Sequence, residues 1–311
     1  MTNSIISDKP NIIFFGTGSF SLLILQDLIS YTNILAFVCQ PGDQPVRSFC
    51  TNYQIPELAY QEVTDPSFIN KYLEDNSIEL GIVADYGRIL PSSLIDAFKL
   101  GLINVHVSLL PKYRGGSPIE YQLLNREQKV GTSLMLIAPE LDTGAILAQA
   151  IYPGNPLTLD NPTAHQEFAT LSNQLLRSTL PKYLSGTVKA KAQDHTKASY
   201  GRLLGKSDGK IDLSKSDLEI EAQIRAFLGW PGSWLDWQGK RIILLSSSLS
   251  DQSLDLRTID DTWLISTDRK KLFLRTKTKP LEITTLQVAG KNSMPALAFI
   301  NGHLTNTLRN L

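Results

Sequence analysis

The chain's 311 residues, 42% of them apolar, are enough for one large packed domain or two ordinary ones and argue against disorder. Thirty basic and thirty acidic residues cancel, so the total charge names no polyanionic partner, although charge is spread unevenly along the chain. The two cysteines, Cys39 and Cys50, make no metal-ligand spacing and no disulfide framework, which fits a reducing compartment.

The start, MTNSIISDKPN, lacks a basic region followed by an apolar run, so no signal peptide is expected. No apolar run reaches the roughly 18 residues of a membrane span. A cytoplasmic protein is expected.

NIIFFGTG is a short apolar strand ending in glycines, and SFSLLILQDLI follows with a helical pattern. NILAFVCQ predicts the next strand, SFINKYLEDN an amphipathic helix, and IELGIVADYG another buried strand. SSLIDAFKLG predicts a helix closed by Gly101, and LINVHVSLL a further strand. Ser117-Pro118-Ile119-Glu120 is a capping box with proline at the first helical position, so PIEYQLLN predicts a helix. GTSLMLIA and AILAQAIY predict strands joined by PELDTG, and the long helix TAHQEFATLSNQLLRSTLPKYLSG closes this half. Strands alternating with helices at this spacing predict a Rossmann-like, mostly parallel α/β sheet with helices on both faces.

From about residue 189 the texture changes: KAKAQDHTKASYGRLLGKSDGK is polar and net basic, and predicts a linker. After one more helix, DLEIEAQIRAFLG, come short alternating runs such as GSWLDWQGKRIILLSS, DTWLISTD, KLFLRTK and LEITTLQ. These predict a small C-terminal β-barrel of OB-like type. The expected division is residues 1–188, a linker at 189–206, and a β-barrel domain at 207–311.

FFGTGSF raises the possibility of dinucleotide binding, because Gly16 and Gly18 follow a strand and open a helix. Ser21 is a poor third small residue, and the second strand ends in Gln40, with Asp43 beyond a Pro-Gly turn. An ordinary strand-to-helix turn is favoured.

In INVHVSLLP, Asn104 and His106 lie two apart and share a strand face, so both reach one reacting group. Asn104 offers an amide donor to a developing oxyanion, and His106 offers a second donor or moves a proton. Asp142 lies in a turn just past a strand, where a carboxylate can take a proton from an amine. Each taken alone is ordinary, since polar residues at strand ends and aspartates in turns are common. No metal is suggested, because His106 has no second His or Cys at ligand spacing.

These residues together resemble the 10-formyltetrahydrofolate-dependent formyltransferases. NVHVSLLPKYRG is similar to their Asn-x-His-x-Ser-Leu-Leu-Pro segment, GTSLMLIAPELDTG to their signature from Gly131 through Asp142 to Gly144, and DYGRILP to a folate-lining segment. IRAFLGWPGSWLDWQGKRI and LEITTLQVAGKNSM resemble the C-terminal domain of the branch acting on initiator methionyl-tRNA.

The resemblance implies a catalytic trio of Asn104, His106 and Asp142. It implies a folate co-substrate held at Arg88, Ile89, Leu90, Ala138, Pro139 and Glu140, with neither a metal nor a covalent enzyme intermediate. Initiator methionyl-tRNA would be met by Ser108, Leu109, Leu110, Pro111, Lys112, Arg114, Arg47, Arg269, Lys270 and Lys271. A monomer without membrane contact is expected.

RKKLFLRTKTK, from Arg269 to Lys279, holds six basic residues and no acid, with Phe273 interleaved. The 189–206 segment adds Lys189, Lys191, Lys197, Arg202 and Lys206 against Asp194. Such patches neutralise phosphates without reading sequence.

The sequence departs from the family at two places. QPGDQPVRSFCTNYQIPE is shorter than the basic loop usual after the second strand, with Arg47 as its only basic residue. Asp85 stands where a small neutral residue is usual. The competing expectations are formyl transfer to a sugar-nucleotide or other small amine, a catalytically silent RNA-binding protein, and a nicotinamide-dependent oxidoreductase.

Overall fold

The computed structural model describes residues 9–249 and 255–304, so the start read for a signal peptide lies almost wholly outside them. The chain opens with β1 (Asn11–Gly16), α1 (Gly18–Leu28), β2 (Asn33–Val38), α2 (Gln44–Asn52), α3 (Tyr60–Thr64) and α4 (Pro66–Asp75). It continues with β3 (Leu80–Ala84), α5 (Ser92–Ala97), β4 (Leu102–His106), α6 (Pro118–Leu124), β5 (Gly131–Leu136), β6 (Ile146–Ile151) and α7 (Asn161–Leu184). Two compact units result: Met1–Pro118, Lys129–Gly154 and Ala164–Arg202 form one, and Ile119–Gln128, Asn155–Thr163 and Leu203–Leu311 the other.

The first unit is organised by a sheet in the order β2-β1-β3-β4-β5-β6. The strands from β2 to β4 run parallel, whereas β5 and β6 pair antiparallel. Alternation along β1 drives burial on both faces. Ile13 and Phe15 join Leu73 of α4 and Leu94 of α5 in one apolar cluster, and Ile12 and Phe14 are equally buried on the other side. Asn173 of α7 donates to the carbonyl of Leu23 in α1, tying two helices together. Because β1 lies between β2 and β3, the chain leaves it in opposite directions, which opens a crevice at the carboxyl ends of β1 and β3.

The second unit adds α8 (Asp217–Ala226), β7 (Ser233–Trp237), β8 (Lys240–Ser248), β9 (Leu256–Thr258) and β10 (Trp263–Ser266). Then come β11 (Leu272–Leu274), β12 (Leu281–Val288), β13 (Ser293–Pro295) and α9 (Ala296–His303). All pairs are antiparallel, in the order β7-β8-β12-β11-β10-β9, with β13 on β12. Trp237, Trp263 and Phe299 pack ring against ring at 5.6–6.5 Å and fill its core. Ser216 and Glu219 form a reciprocal capping box that starts α8. This is the small β domain that the alternating runs predict.

Three expectations need correction. QPGDQPVRSFCTNYQIPE is not all loop: Asp43 caps α2 by accepting from the Val46 N–H, with Pro45 in its first turn. The strand expected over LINVHVSLL ends at His106. The segment expected to begin a linker at residue 189 instead joins the first unit as far as Arg202. Lys191 and Ile146 exchange two backbone hydrogen bonds of 2.8 Å, and Arg114 and Gly201 are joined by another of 2.7 Å. Main-chain pairing leaves no apolar periodicity, which is why composition alone predicts a linker. Among the described residues, no helix is long and apolar enough to cross a membrane.

Candidate active site

The glycine turn after β1 is filled by the protein's own acids. The Gly18 N–H at the start of α1 donates to Asp43 Oδ2 at 2.6 Å, and Gln40 N–H donates to Thr17 Oγ1 at 3.2 Å. An anion is therefore already seated where a dinucleotide would bring its pyrophosphate. Ser21 is fully buried, with Oγ only 1.9 Å from where a Cβ on Gly16 would stand, so it does pack closely against the strand. Asp85 also gains an account: its Oδ2 lies 3.7 Å from the Cβ position of Gly18. Helix α1 has no acid in its first turn, so Asp43 and Asp85 supply the negative charge its amino end favours.

Strand β4 delivers Asn104 and His106 to the middle of the sheet, where they pair with Met135 and Ser133 of β5. The loop after β5 folds back so that Asp142 Oδ2 lies 3.7 Å from His106 Nδ1, both side chains being buried. His106 Nε2 sits 2.9 Å from the Tyr113 carbonyl, which can only accept, so this nitrogen carries a proton. Nδ1 is then the ring nitrogen left for chemistry. Asp142 Oδ2 also accepts from the Gly115 N–H at 2.7 Å. Asn104 is half-buried and makes no side-chain hydrogen bond among the described residues. Its amide is free for a ligand oxygen.

The SLLPKYRGG loop is held from within. Ser133 Oγ donates to the Ser108 carbonyl at 2.6 Å and accepts from the Leu110 N–H at 3.1 Å. Gln149 Nε2 donates to both Ser133 Oγ and the Leu110 carbonyl, and Ser108 Oγ donates to the Lys112 carbonyl. Ser108 and Leu110 are buried, Leu109 and Pro111 are half-buried, and Lys112 is exposed. Ser133 and Gln149 escape sequence reasoning because alternation marks their strand positions but not their partners.

Arg114 is the main correction. The resemblance places it among the residues that meet the tRNA, yet it is 1% exposed. Its Nη2 donates to Gln193 Oε1 at 2.7 Å and approaches His195 Nδ1 at 3.3 Å. A phosphate cannot reach a guanidinium so enclosed. Gly115 beside it has φ +110, and a Cβ there would stand 2.6 Å from the Gly201 carbonyl oxygen, so only glycine fits this crossing.

The folate-side residues divide by burial. Leu90 is in the core cluster against which Ile137, next to Ala138, packs, so the two expected segments meet through it. Arg88 and Ile89 are exposed, as are Pro139 and Glu140, while Ala138 is half-buried. Tyr60, absent from the sequence reading, donates from its hydroxyl to the Ile89 carbonyl at 3.0 Å and lies under the Arg88 guanidinium at 4.8 Å.

Arg47 is committed to Glu57 by two hydrogen bonds of 2.6 and 2.7 Å, which hold the Glu57 carboxyl below its ordinary range. Arg269 and Lys270 are exposed, whereas Lys271 pairs with Glu282 at 3.0 Å. Phe273 is fully buried in β11, so it is core rather than a stacking surface for bases. Among the described residues, no group of three His, Cys, Asp or Glu is arranged to hold a metal ion.

Burial pushes the Cys39 thiol up to about 11 and the Cys50 thiol up to about 12. At pH 8 about one Cys39 in a thousand is thiolate by that shift. Alkylation of the folded protein at pH 8 should therefore be at least ~100-fold slower than in denaturant, with mass spectrometry as the measure. Equal rates would contradict the burial.

An acid and a histidine meet at the strand that also carries a half-buried amide, in a mostly parallel sheet followed by an antiparallel β domain. The formyl transferase family matches residues 11–180, and the formyl transferase C-terminal domain matches residues 203–304. The chain is 33% identical to the methionyl-tRNA formyltransferase of Lactococcus lactis subsp. cremoris strain SK11, over 94% of this chain and 95% of that one. It is 30% identical to that of Staphylococcus aureus strain MW2, over 96% and 97% respectively. The fold is also that of the N-formyltransferase from Helicobacter canadensis, solved with folinic acid and dTDP-3-aminofucose. That likeness has a TM-score of 0.65 at 18% identity, over 88% of this chain and 98% of that one. The chain belongs to the methionyl-tRNA formyltransferase family.

Proposed function

We propose that the chain transfers the formyl group of 10-formyltetrahydrofolate to the amino group of methionine on initiator methionyl-tRNA, in the cytoplasm, for translation initiation. The observation that carries this is the end-to-end match to the Lactococcus lactis enzyme, which spans both units.

In this reading the methionyl nitrogen attacks the formyl carbon, whose oxygen becomes an oxyanion. Asn104 and His106 stabilise that oxygen, which lowers the barrier in a largely water-excluded site. Asp142, directly or through a water, takes the proton released from the amine. Collapse breaks the bond to the folate nitrogen, which receives a proton, giving formylmethionyl-tRNA and tetrahydrofolate. The folate lies along Arg88, Ile89, Leu90, Ala138, Pro139 and Glu140. Support for these roles comes from the free Asn104 amide and from the 3.7 Å approach of His106 and Asp142.

A second reading, formyl transfer to a sugar-nucleotide amine, is favoured by one observation: Arg47 is tied to Glu57 and is not free for a phosphate. One assay separates the two. The protein is incubated with 10-formyltetrahydrofolate and either methionyl initiator tRNA or an amino-sugar nucleotide. Formylmethionine is the expected product, and its absence overturns the reading.

The RNA side carries its own prediction. Reversing charge at Arg269 and Lys270, both exposed, should raise KM for tRNA about tenfold at moderate salt with kcat little changed. An unchanged KM would remove the β domain's basic run from recognition.

A further inference from the structure

We propose that Gln193 is a positioning residue that sets Asp142 for the reaction, an inference resting on the formyl-transfer reading above. Its side chain is 6% exposed and its amide is used on both sides. Nε2 donates to the Asp142 carbonyl at 2.9 Å and to the Gly144 carbonyl at 2.7 Å. Oε1 accepts from Arg114 Nε at 3.2 Å and from Arg114 Nη2 at 2.7 Å. Only this orientation of the amide turns hydrogens toward carbonyls and oxygen toward a guanidinium, so the assignment is unambiguous.

The Asp142 loop is held by such a partner. Asp142 has φ +52, a left-handed conformation that is costly for most L residues and less so for aspartate. Its carboxylate is gripped by the Gly115 N–H and its carbonyl by Gln193. Gln193 also grips Arg114, the residue before Gly115, so one side chain joins both halves of the site. The segment carrying it is fixed at both ends. Lys191 pairs with Ile146, and Arg114 N–H donates to the Ser199 carbonyl at 2.8 Å. Tyr113, whose carbonyl accepts from His106, is held in turn by Ser199 Oγ at 3.0 Å. The stretch 191–201, bridged at both ends and turned at His195–Lys197, is a brace across the site rather than a tether.

Gln193→Glu isolates the effect. A glutamate keeps the shape and the Arg114 contact but sets a carboxylate oxygen against two carbonyl oxygens, so the hold on Asp142 is lost while the hold on Arg114 is kept. In the full chain, kcat should fall by about 10- to 100-fold, the scale of a small misplacement of a reacting group. KM for tRNA and folate should stay within about twofold, because the binding surfaces are untouched. In an Asp142→Asn background the same change should cost less than about threefold, because Gln193 acts through that carboxylate. Amide exchange at Gly115 in the unliganded protein should quicken at least ~10-fold.

A kcat within twofold of wild type, losses that multiply in the double variant, or unchanged Gly115 exchange would each overturn the proposal. If Gln193→Glu does not fold, Gln193→Met keeps the volume but drops both the donors and the acceptor for Arg114, and it is read by the same double-variant and exchange comparisons. Wild type inactive on methionyl-tRNA would sink the functional reading instead, and the exchange measurement would still decide whether Gln193 holds the loop.

Discussion

Asp142→Asn is expected to lower kcat for formyl transfer by about 10²- to 10³-fold, within the range general acid–base groups contribute. The substitution is chosen so that little else changes. Asparagine tolerates the left-handed φ of +52 at this position nearly as well as aspartate. Its side-chain oxygen can still accept from the Gly115 N–H, which now meets Oδ2 at 2.7 Å. What is lost is the negative charge 3.7 Å from His106 Nδ1, and with it the proton acceptor. KM should therefore move little and the melting temperature should stay within a few degrees. Single-turnover formylation with enzyme in excess is the measurement that reads chemistry alone. A variant retaining more than a tenth of the wild-type rate would remove Asp142 from proton transfer and leave Asn104 and His106 as the whole device.

The parts of the molecule legible in the sequence are those governed by local pattern. β1, β3 and β4 show as apolar runs ending in polar or glycine residues, and α7 as a long periodic stretch. His106 and Asp142 are each ordinary alone, a polar residue at a strand end and an aspartate in a turn, and they stand out only through the family motifs that contain them. Arg114 was misread because a cation in a glycine-rich loop is ordinarily solvated, and its partner Gln193 lies 79 residues further along the chain. Nothing in a polar segment marks which glutamine will be buried. Phe273 shows the converse. Its basic neighbours suggested an exposed surface, but Leu272, Phe273 and Leu274 are all buried in β11, inside the sheet between β10 and β12. Side-chain charge near a strand says little about the strand's place in the sheet.

That distinction between local pattern and distant packing sets the second large effect. Gly144→Ala should lower kcat/KM by about 100-fold and the melting temperature by several degrees, although no reacting group is removed. A Cβ on residue 144 would stand 1.7 Å from the Leu136 carbonyl oxygen and 2.8 Å from the Leu136 carbonyl carbon. Both are backbone atoms of β5, so no rotamer change relieves the clash and the loop must open. Opening strains the Leu136 N–H bond to the Ala145 carbonyl, now 2.9 Å, and pulls the Gly144 carbonyl from Gln193. Overpacking of this kind costs about 1–3 kcal/mol, or roughly 2–12 °C for a domain of this size. The larger loss falls on catalysis, because Asp142 sits two residues away in a conformation that depends on the same bonds. A displacement of about 1 Å there is enough for a hundredfold loss. Thermal unfolding and steady-state kinetics on one preparation separate the two consequences. If kcat/KM fell only in proportion to the fraction folded, the turn would be a stability element, and placement of Asp142 would tolerate more slack than its bonds imply.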